Sequence, residues 1–424
     1  MLRSLTFLTA ATLSVMSVGC SRKSAATSAT GGCDESIKLP PGFCATIFSD
    51  SVGPARHLAV TKSGDVIVGI LDQRRSTGGV LMLRDTDKDG HADAEARFGD
   101  TGVHGVVLEG DSTLLVSTAS SVLRYRLADT LGVRKRIDTL ITGLAVRQIP
   151  SHSLAIDLRG NLIVNIGAVT NGCAAKEAPE TPGQDPCPER EISAGLWSFK
   201  TDKINQTLKD GTRIAAGLHN AIALAANPGD TMIYAASHGR DGLHELWPNL
   251  YTAEEGASLP AEELVRLQSS RADFGWPYCY FDYLKQERVV APEYGGDKVR
   301  TDRCDRLIQP LVVYPAHWSP MSMLFYTGKM FPAQYRTGAF IAFHGSSQRA
   351  PLAEEGYEVV FQQFKDGLAA DYATFATGFA GPSTTVQGAL HRPVGLAQGP
   401  DGALYLSDDR GGRIWKITYK QPEE

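Results

Sequence analysis

Histidine and arginine recur at similar places along this 424-residue chain: His57, His152, His219-Asn220, His238-Gly239-Arg240-Asp241, His344 with Arg349, and His391-Arg392. Imidazoles exchange protons near neutral pH, and guanidinium forks grip carboxylates through two parallel bonds. A site that gathers both suits an anionic ligand and a proton transfer. A separate run, Asp85-x-Asp87-x-Asp89-Gly90-x-x-Asp93, has the alternating carboxylates and turn glycine of a calcium loop. An EF-hand would close with glutamate, whereas Ala96 stands at that position and Glu95 one place early. Helical flanks are missing too. The run is therefore expected to be a structural calcium site apart from the histidines, its alternative being a solvated turn.

Residues so scattered need a scaffold that returns them to one place. HLAVTKSGDVIV at 57–68, SLAIDLRGNLIV at 153–164 and GLAQGPDGALYL at 395–406 share one pattern, an apolar strand, a glycine turn and a second apolar strand. GVVLEGDSTLLV at 105–116, AIALAANPGDTMIY at 221–234 and MSMLFYTGKMFPAQYRTGAFIAF at 321–343 are looser copies. Third strands follow most of them, at 78–83, 121–127, 195–199, 357–364 and 412–417. Six hairpin-plus-strand units with few helical periods predict an all-β fold, a six-bladed β-propeller with inserted loops, over a large sandwich or two small barrels. The insertions fall at 165–195 and 238–310, and FCATIF at 43–48 is expected to complete the last blade. Every blade of a propeller contributes to the mouth of its central channel, so functional residues there should be scattered in sequence but similarly placed within each repeat.

Seven cysteines comprise Cys20 and three local pairs, Cys33 with Cys44, Cys173 with Cys187, and Cys279 with Cys304. An even set in an exported chain reads as disulfides, each worth roughly 3 kcal/mol by the chain-entropy model. Export is signalled by Arg3, the apolar stretch from Leu5 to Val18, and Gly19-Cys20, the anatomy of a signal peptide with a lipoprotein-type cleavage site. The expected division is a signal segment at 1–20, a flexible tether at 21–37 and the propeller at 38–420. Contact with a membrane would come only through lipid on Cys20, in a periplasmic or outer-membrane-anchored protein. A net charge of −5 without a basic cluster argues against nucleic acid as a partner.

GLHNAIALAANP at 217–228, SHGRDGL at 237–243, FGWPYCYFDY at 274–283, AHWSPMSMLFYTG at 316–328, FIAFHGS at 340–346 and RPVGLAQGPDGALYLSDD at 392–409 resemble the glucose/sorbosone dehydrogenase family. The resemblance covers about residues 38–418. It implies a six-bladed propeller that binds pyrroloquinoline quinone (PQQ) with calcium and oxidises an aldose or a sugar aldehyde. PQQ is a planar quinone with three carboxylates, which call for cationic and amide partners. Calcium takes hard oxygen ligands and polarises the quinone, and a histidine base removes the sugar hydroxyl proton.

Carried over by motif, the resemblance assigns cofactor contacts to Asn220, His344, Arg349 and Arg392, with His219 replacing the family's arginine nearby. Gly239 and Arg240 fall where main-chain carbonyls hold calcium. Val394 stands for a second arginine, and Ser347-Gln348 depart from the relatives' tryptophan and asparagine. The base register lands on Ile149, the nearby histidine being His152. Either a shorter loop brings His152 into that space or the base is gone.

Three readings follow. The first is an exported PQQ-dependent sugar dehydrogenase acting on a small sugar, with His152 as provisional base and an unidentified electron acceptor. The second is a propeller that binds carbohydrate or protein without turnover. The third, a calcium-dependent hydrolase, needs acidic residues at the inner strand starts, where histidine and arginine dominate instead. Asp408-Asp409 read as turn residues.

Overall fold

The computed structural model describes residues 32–421 except 74–76, 129, 147–151, 269–271 and 366–367. The signal segment, Cys20 and Ile149 lie outside the described residues. Within them the chain forms six blades of four antiparallel strands, the third extended by Ala272–Asp273, which pairs parallel with Thr212–Ala216. From the channel outward the first blade is Ala55–Val60, Val66–Ile70, Gly79–Arg84 and Ala94–Phe98. The second is Val106–Glu109, Thr113–Ser117, Ser121–Leu127 and Val133–Thr142, and the third is Leu154–Ile156, Asn161–Ile166, Gly195–Lys200 and Thr212–Ala216. Blade four runs Asn220–Ala226, Ile233–His238, Glu262–Arg266 and Val312–Tyr314, and blade five Pro320–Phe325, Gly338–Phe343, Glu358–Lys365 and Leu368–Ala376. Blade six joins Pro393–Gln398, Leu404–Asp408 and Ile414–Tyr419 to the N-terminal strand Phe43–Ser49.

All six inner hairpins of the sequence pattern are present, and Phe43–Ser49 pairs antiparallel with Ile414–Tyr419 to close the ring. The third strand of blade four, Glu262–Arg266, escaped the pattern because an insertion separates it from its hairpin. That insertion adds two short helices, Leu243–Leu246 and Ala253–Ser258, and a hairpin of Cys279–Asp282 with Glu287–Val290. All three expected disulfides form. Residues 33–37 of the expected tether belong to the fold instead: Cys33 is bonded to Cys44, Asp34 accepts the Trp415 indole N–H at 2.9 Å, and Ile37 is buried in the core.

Alternation places Val, Leu and Ile between blades, where neighbouring sheets interdigitate in separate apolar layers. At the channel these layers give way to polar clasps. The Ser407 hydroxyl, on the second strand of blade six, accepts the Gly395 N–H at 2.9 Å and donates to the Arg56 carbonyl of blade one at 2.5 Å. Ser117 of blade two accepts the Gly105 N–H at 2.7 Å and donates to the His152 carbonyl of blade three. Asn165 of blade three accepts the Ala221 N–H at 3.1 Å and donates to the Asn220 side-chain oxygen at 3.0 Å, both on blade four. These side chains occupy one repeat position and fix where the next blade's inner strand begins.

Buried amide groups stripped of a partner are costly, so Asn165→Ala should lower the unfolding free energy by about 1–3 kcal/mol. Urea denaturation followed by far-UV circular dichroism measures this, and an unchanged midpoint would contradict the clasp.

Candidate functional site

The innermost strands begin with polar residues because clasps and bulges hold their first residues off the regular ladder. Register breaks occur between Ala55 and Leu58, Asn220 and Ala223, Pro320 and Ser322, and Pro393 and Leu396. Arg56, His104 and His152 take equivalent positions on blades one to three, each two residues before the strand's paired Leu58, Val106 or Leu154. Arg56 and His104 escaped sequence reasoning, and this shared offset is the signal that could have found them.

Three histidines form the inner lining on that side. The His57 ring lies between the His104 carbonyl at 3.0 Å and the Met321 carbonyl at 2.7 Å, reaching from blade one to blades two and five. Burial, with the Arg56 charge close by, lowers its pKa to about 4. His104 is lowered to about 3 by burial and by Arg56. His152 is 1% exposed, its ring nitrogens facing the Asn165 carbonyl at 2.9 Å and the Ala119 carbonyl at 3.1 Å. The expectation of a mouth-facing base at His152 is corrected here: its ring is a buried strut between blades two and three.

The opposite side holds the reactive geometry. His344 follows the second strand of blade five, and its Nε2–H donates to Asp409 Oδ1 at 2.8 Å. The second Asp409 oxygen accepts from Arg56 at 2.8 Å, joining blades five, six and one. Burial would raise the Asp409 pKa, but His344, Arg56 and Arg392 outweigh it and hold the carboxyl far below the usual range. Burial likewise depresses His344, only partly offset by Asp409, so the imidazole stays neutral near pH 7. Among the described residues its Nδ1 has no hydrogen-bond partner. Asp408 behaves as expected of a turn, accepting from the Arg392, Arg410 and Gly411 N–H groups and from His391. Asp409 does not, and belongs to the site.

Arg392 donates to the carbonyls of His344, at 3.0 Å, and Gly345. Among the described residues it forms no ion pair, so its charge is free to meet an anion. Arg349 differs. Its guanidinium donates to the carbonyls of Ala316 and Ala353, both at 2.9 Å, and to Glu355 at 3.0 Å. With all three nitrogens engaged, it braces its own loop and is corrected as a cofactor ligand.

Gly239 and Arg240 leave blade four toward the same end. The Gly239 N–H donates to Glu262 at 3.0 Å, and the Arg240 side chain pairs with buried Glu293 at 2.5 Å. Among the described residues no hydrogen-bond donor reaches the carbonyl oxygen of either residue. Glu262 also accepts the Ser319 N–H at 3.0 Å, and burial pushes its pKa up to about 7. His238 Nε2 lies 2.9 Å from the Pro320 carbonyl, and the His344 N–H donates to the Ser319 carbonyl at 3.0 Å, which joins these residues to the His344 side. His219 is buried beside Trp276, ring centroids 6.1 Å apart, and Asn220 is held by Asn165.

The acidic turn lies elsewhere, between the third and fourth strands of blade one. Asp85, Asp87 and Asp89 converge to within 4.8 Å of one another. Asp93 is corrected: it turns away to hold the Thr86 N–H, at 2.9 Å, and its hydroxyl.

The depressed histidines give a signed pH dependence. Unfolded His57 and His104 bind protons below their ordinary value of 6.5, whereas the folded chain resists until about 4 and 3. At pH 5 the two rings together should take up about two protons on unfolding, and Glu262, raised to about 7 in the fold, should release most of one. Stability should therefore fall as pH drops from 6.5, with a net uptake of about one proton. Asp409 adds a further loss below its ordinary 3.8. Urea titrations across this range measure the slope, and a flat profile would contradict the buried neutral rings.

Comparison with known proteins agrees with this architecture. A family model described as TrAA12-like matches residues 37–420. The calcium structure of the Trichoderma reesei carbohydrate-active enzyme of family AA12 superposes with a TM-score of 0.74 at 20% identity, over 92% of this chain and 98% of that one. The holo form of the pyranose dehydrogenase PQQ domain from Coprinopsis cinerea gives 0.71 at 19% identity, over 90% and 97%. An uncharacterized protein of Borreliella burgdorferi is 28% identical over 220 residues, covering 51% of this chain and 52% of its own length. The match thus spans about half of that curated relative.

Proposed function

We propose that this chain, which belongs to the TrAA12-like family, is a PQQ- and calcium-dependent dehydrogenase of an aldose or sugar aldehyde. The observation that carries the reading is the His344–Asp409–Arg56 relay beside Arg392, an open imidazole nitrogen next to a guanidinium without a carboxylate. The donor set fits the cofactor. Arg392 suits a carboxylate of a tricarboxylate quinone, Asn220 and His219 line the neighbouring blade, and the unclaimed carbonyls of Gly239 and Arg240 are hard oxygen ligands for calcium. When bound, the quinone supplies a two-electron acceptor that no side chain offers, polarised by the metal.

The side chains then have defined tasks. His344 Nδ1 takes the substrate hydroxyl proton. Asp409 fixes the tautomer that leaves this nitrogen unprotonated and stabilises the imidazolium that forms. Arg56 holds the far carboxylate oxygen, so the relay keeps its orientation through the proton transfer. The three disulfides agree with an oxidising compartment, and we extend the proposal to an exported protein carrying lipid on Cys20. The Asp85–Asp87–Asp89 turn is proposed as a separate structural calcium site. A second reading, binding without turnover, is supported by His152 being engaged as a strut.

Kinetics of the PQQ- and calcium-loaded protein with aldoses and an artificial electron acceptor separate the two. His344→Asn should retain the cofactor while kcat falls by about 10²–10⁴-fold, the usual contribution of a general base. The acid limb of kcat/KM should lie below pH 6.5, because proton acceptance requires the neutral ring whose pKa burial depresses. Full activity in His344→Asn would remove the assignment. Cofactor binding without turnover on any sugar would favour the second reading.

A further inference from the structure

Asp241 has a setting unlike the other site carboxylates. Its side chain is 48% exposed, yet three histidines, His219, His238 and His317, all act on its charge. That combination describes a solvent-reachable carboxylate flanked by imidazoles. One oxygen is held from behind by His317 Nδ1 at 3.2 Å. His317 is itself buried, with Nε2 facing the carbonyls of Gly256 and Leu259, both at 3.1 Å. Unlike His57, which faces two carbonyls, this ring faces a carboxylate, and Asp241 with Glu262 raises its pKa despite burial, which favours the form that donates from Nδ1 to Asp241. The Asp241 N–H is fixed separately, donating to Asn171 Oδ1 at 3.0 Å from the 165–195 insertion. Asn171 in turn accepts the Trp276 indole N–H at its carbonyl, at 2.7 Å.

The carboxylate is therefore placed by three elements, and its second oxygen has no hydrogen-bond partner among the described residues. Through His238 and the Ser319–Pro320 backbone it is continuous with the wall that carries His344. The ligand class follows from the surroundings. Among the described residues, groups of three or more His, Cys, Asp or Glu converge on a common point only at Asp85, Asp87 and Asp89. Asp241 is in no such group, and the calcium proposed above is given to the Gly239 and Arg240 carbonyls, so the open carboxylate oxygen is assigned to a hydroxyl donor. A sugar hydroxyl meets a fixed, charged acceptor there, a strong form of hydrogen bond with geometric discrimination.

We infer that Asp241, positioned by His317 and Asn171, accepts a hydroxyl of the bound sugar and so helps to determine which sugar is bound. The inference rests on the proposed function. Its test is steady-state kinetics of the loaded protein across epimeric aldoses, for wild type, Asp241→Asn and His317→Gln. Asp241→Asn should raise KM about ten- to a hundredfold for preferred sugars, with kcat changed much less and discrimination between epimers reduced. His317→Gln should move KM in the same direction by less, and Asn171→Ala provides a further variant if either fails to fold. Unchanged KM and epimer preference in Asp241→Asn would overturn the assignment. So would loss of a terbium luminescence signal that survives in Asp87→Asn, because Asp241 would then be a cation ligand. Calorimetric titration of sugar into protein without cofactor keeps the two claims apart. If no sugar is oxidised but wild type binds one and Asp241→Asn does not, the dehydrogenase reading fails and this inference stands. If wild type binds no sugar in either assay, this inference fails.

Discussion

The clasp between one blade's second strand and the next blade's first residue is the contact on which the rest of the site depends. Apolar layers hold neighbouring sheets together, but hydrophobic contact is non-directional and cannot fix where an inner strand starts. Ser407, Ser117 and Asn165 do so by hydrogen-bonding the chain at Arg56, His152 and Asn220–Ala221. The clasps at Arg56 and Asn220 place residues of the site and the one at His152 places a strut beside it, so the ring's geometry becomes the site's geometry. Closure by Phe43–Ser49 ties the first described strand to the last and keeps Arg56 of blade one within reach of Asp409 of blade six.

Charge is distributed sparingly inside this ring. Burial keeps His57 and His104 neutral, so Arg56 and Arg392 supply the local positive charge. Asp409 neutralises part of it and is shared between His344 and Arg56. Among the described residues Arg392 donates hydrogen bonds only to carbonyls and lies over the Tyr357 ring at 6.0 Å, with its own pKa lowered by burial, a state that an arriving carboxylate would relieve. On the far wall Glu262 ties the Gly239 and Ser319 N–H groups together, holding blades four and five where the unclaimed carbonyls emerge.

Much of the fold was legible because strand alternation and glycine turns are local signals. The hairpins, the disulfide pairs and the closing strand all lie in short windows of sequence. The fourth strands and Glu262–Arg266 were not legible, since edge strands alternate weakly and an insertion breaks the repeat spacing. At the site, residue type was readable but side-chain direction was not. His152 and Arg349 have the right chemistry and point into backbone carbonyls instead. Asp409 looked like the second half of a turn, and its role depends on Arg56, 353 residues away in sequence. His317 and Asp241 meet only because two loops from different blades are packed together.

The central claim is that Arg392 and its neighbours form a seat for an anionic quinone. The most direct test is absorbance titration of PQQ into the calcium-loaded protein, comparing wild type with Arg392→Gln. The account predicts tight, calcium-dependent binding that weakens at least tenfold in the variant, the scale of one charge-assisted bidentate contact. Absence of binding to wild type, or affinity indifferent to Arg392, would contradict it.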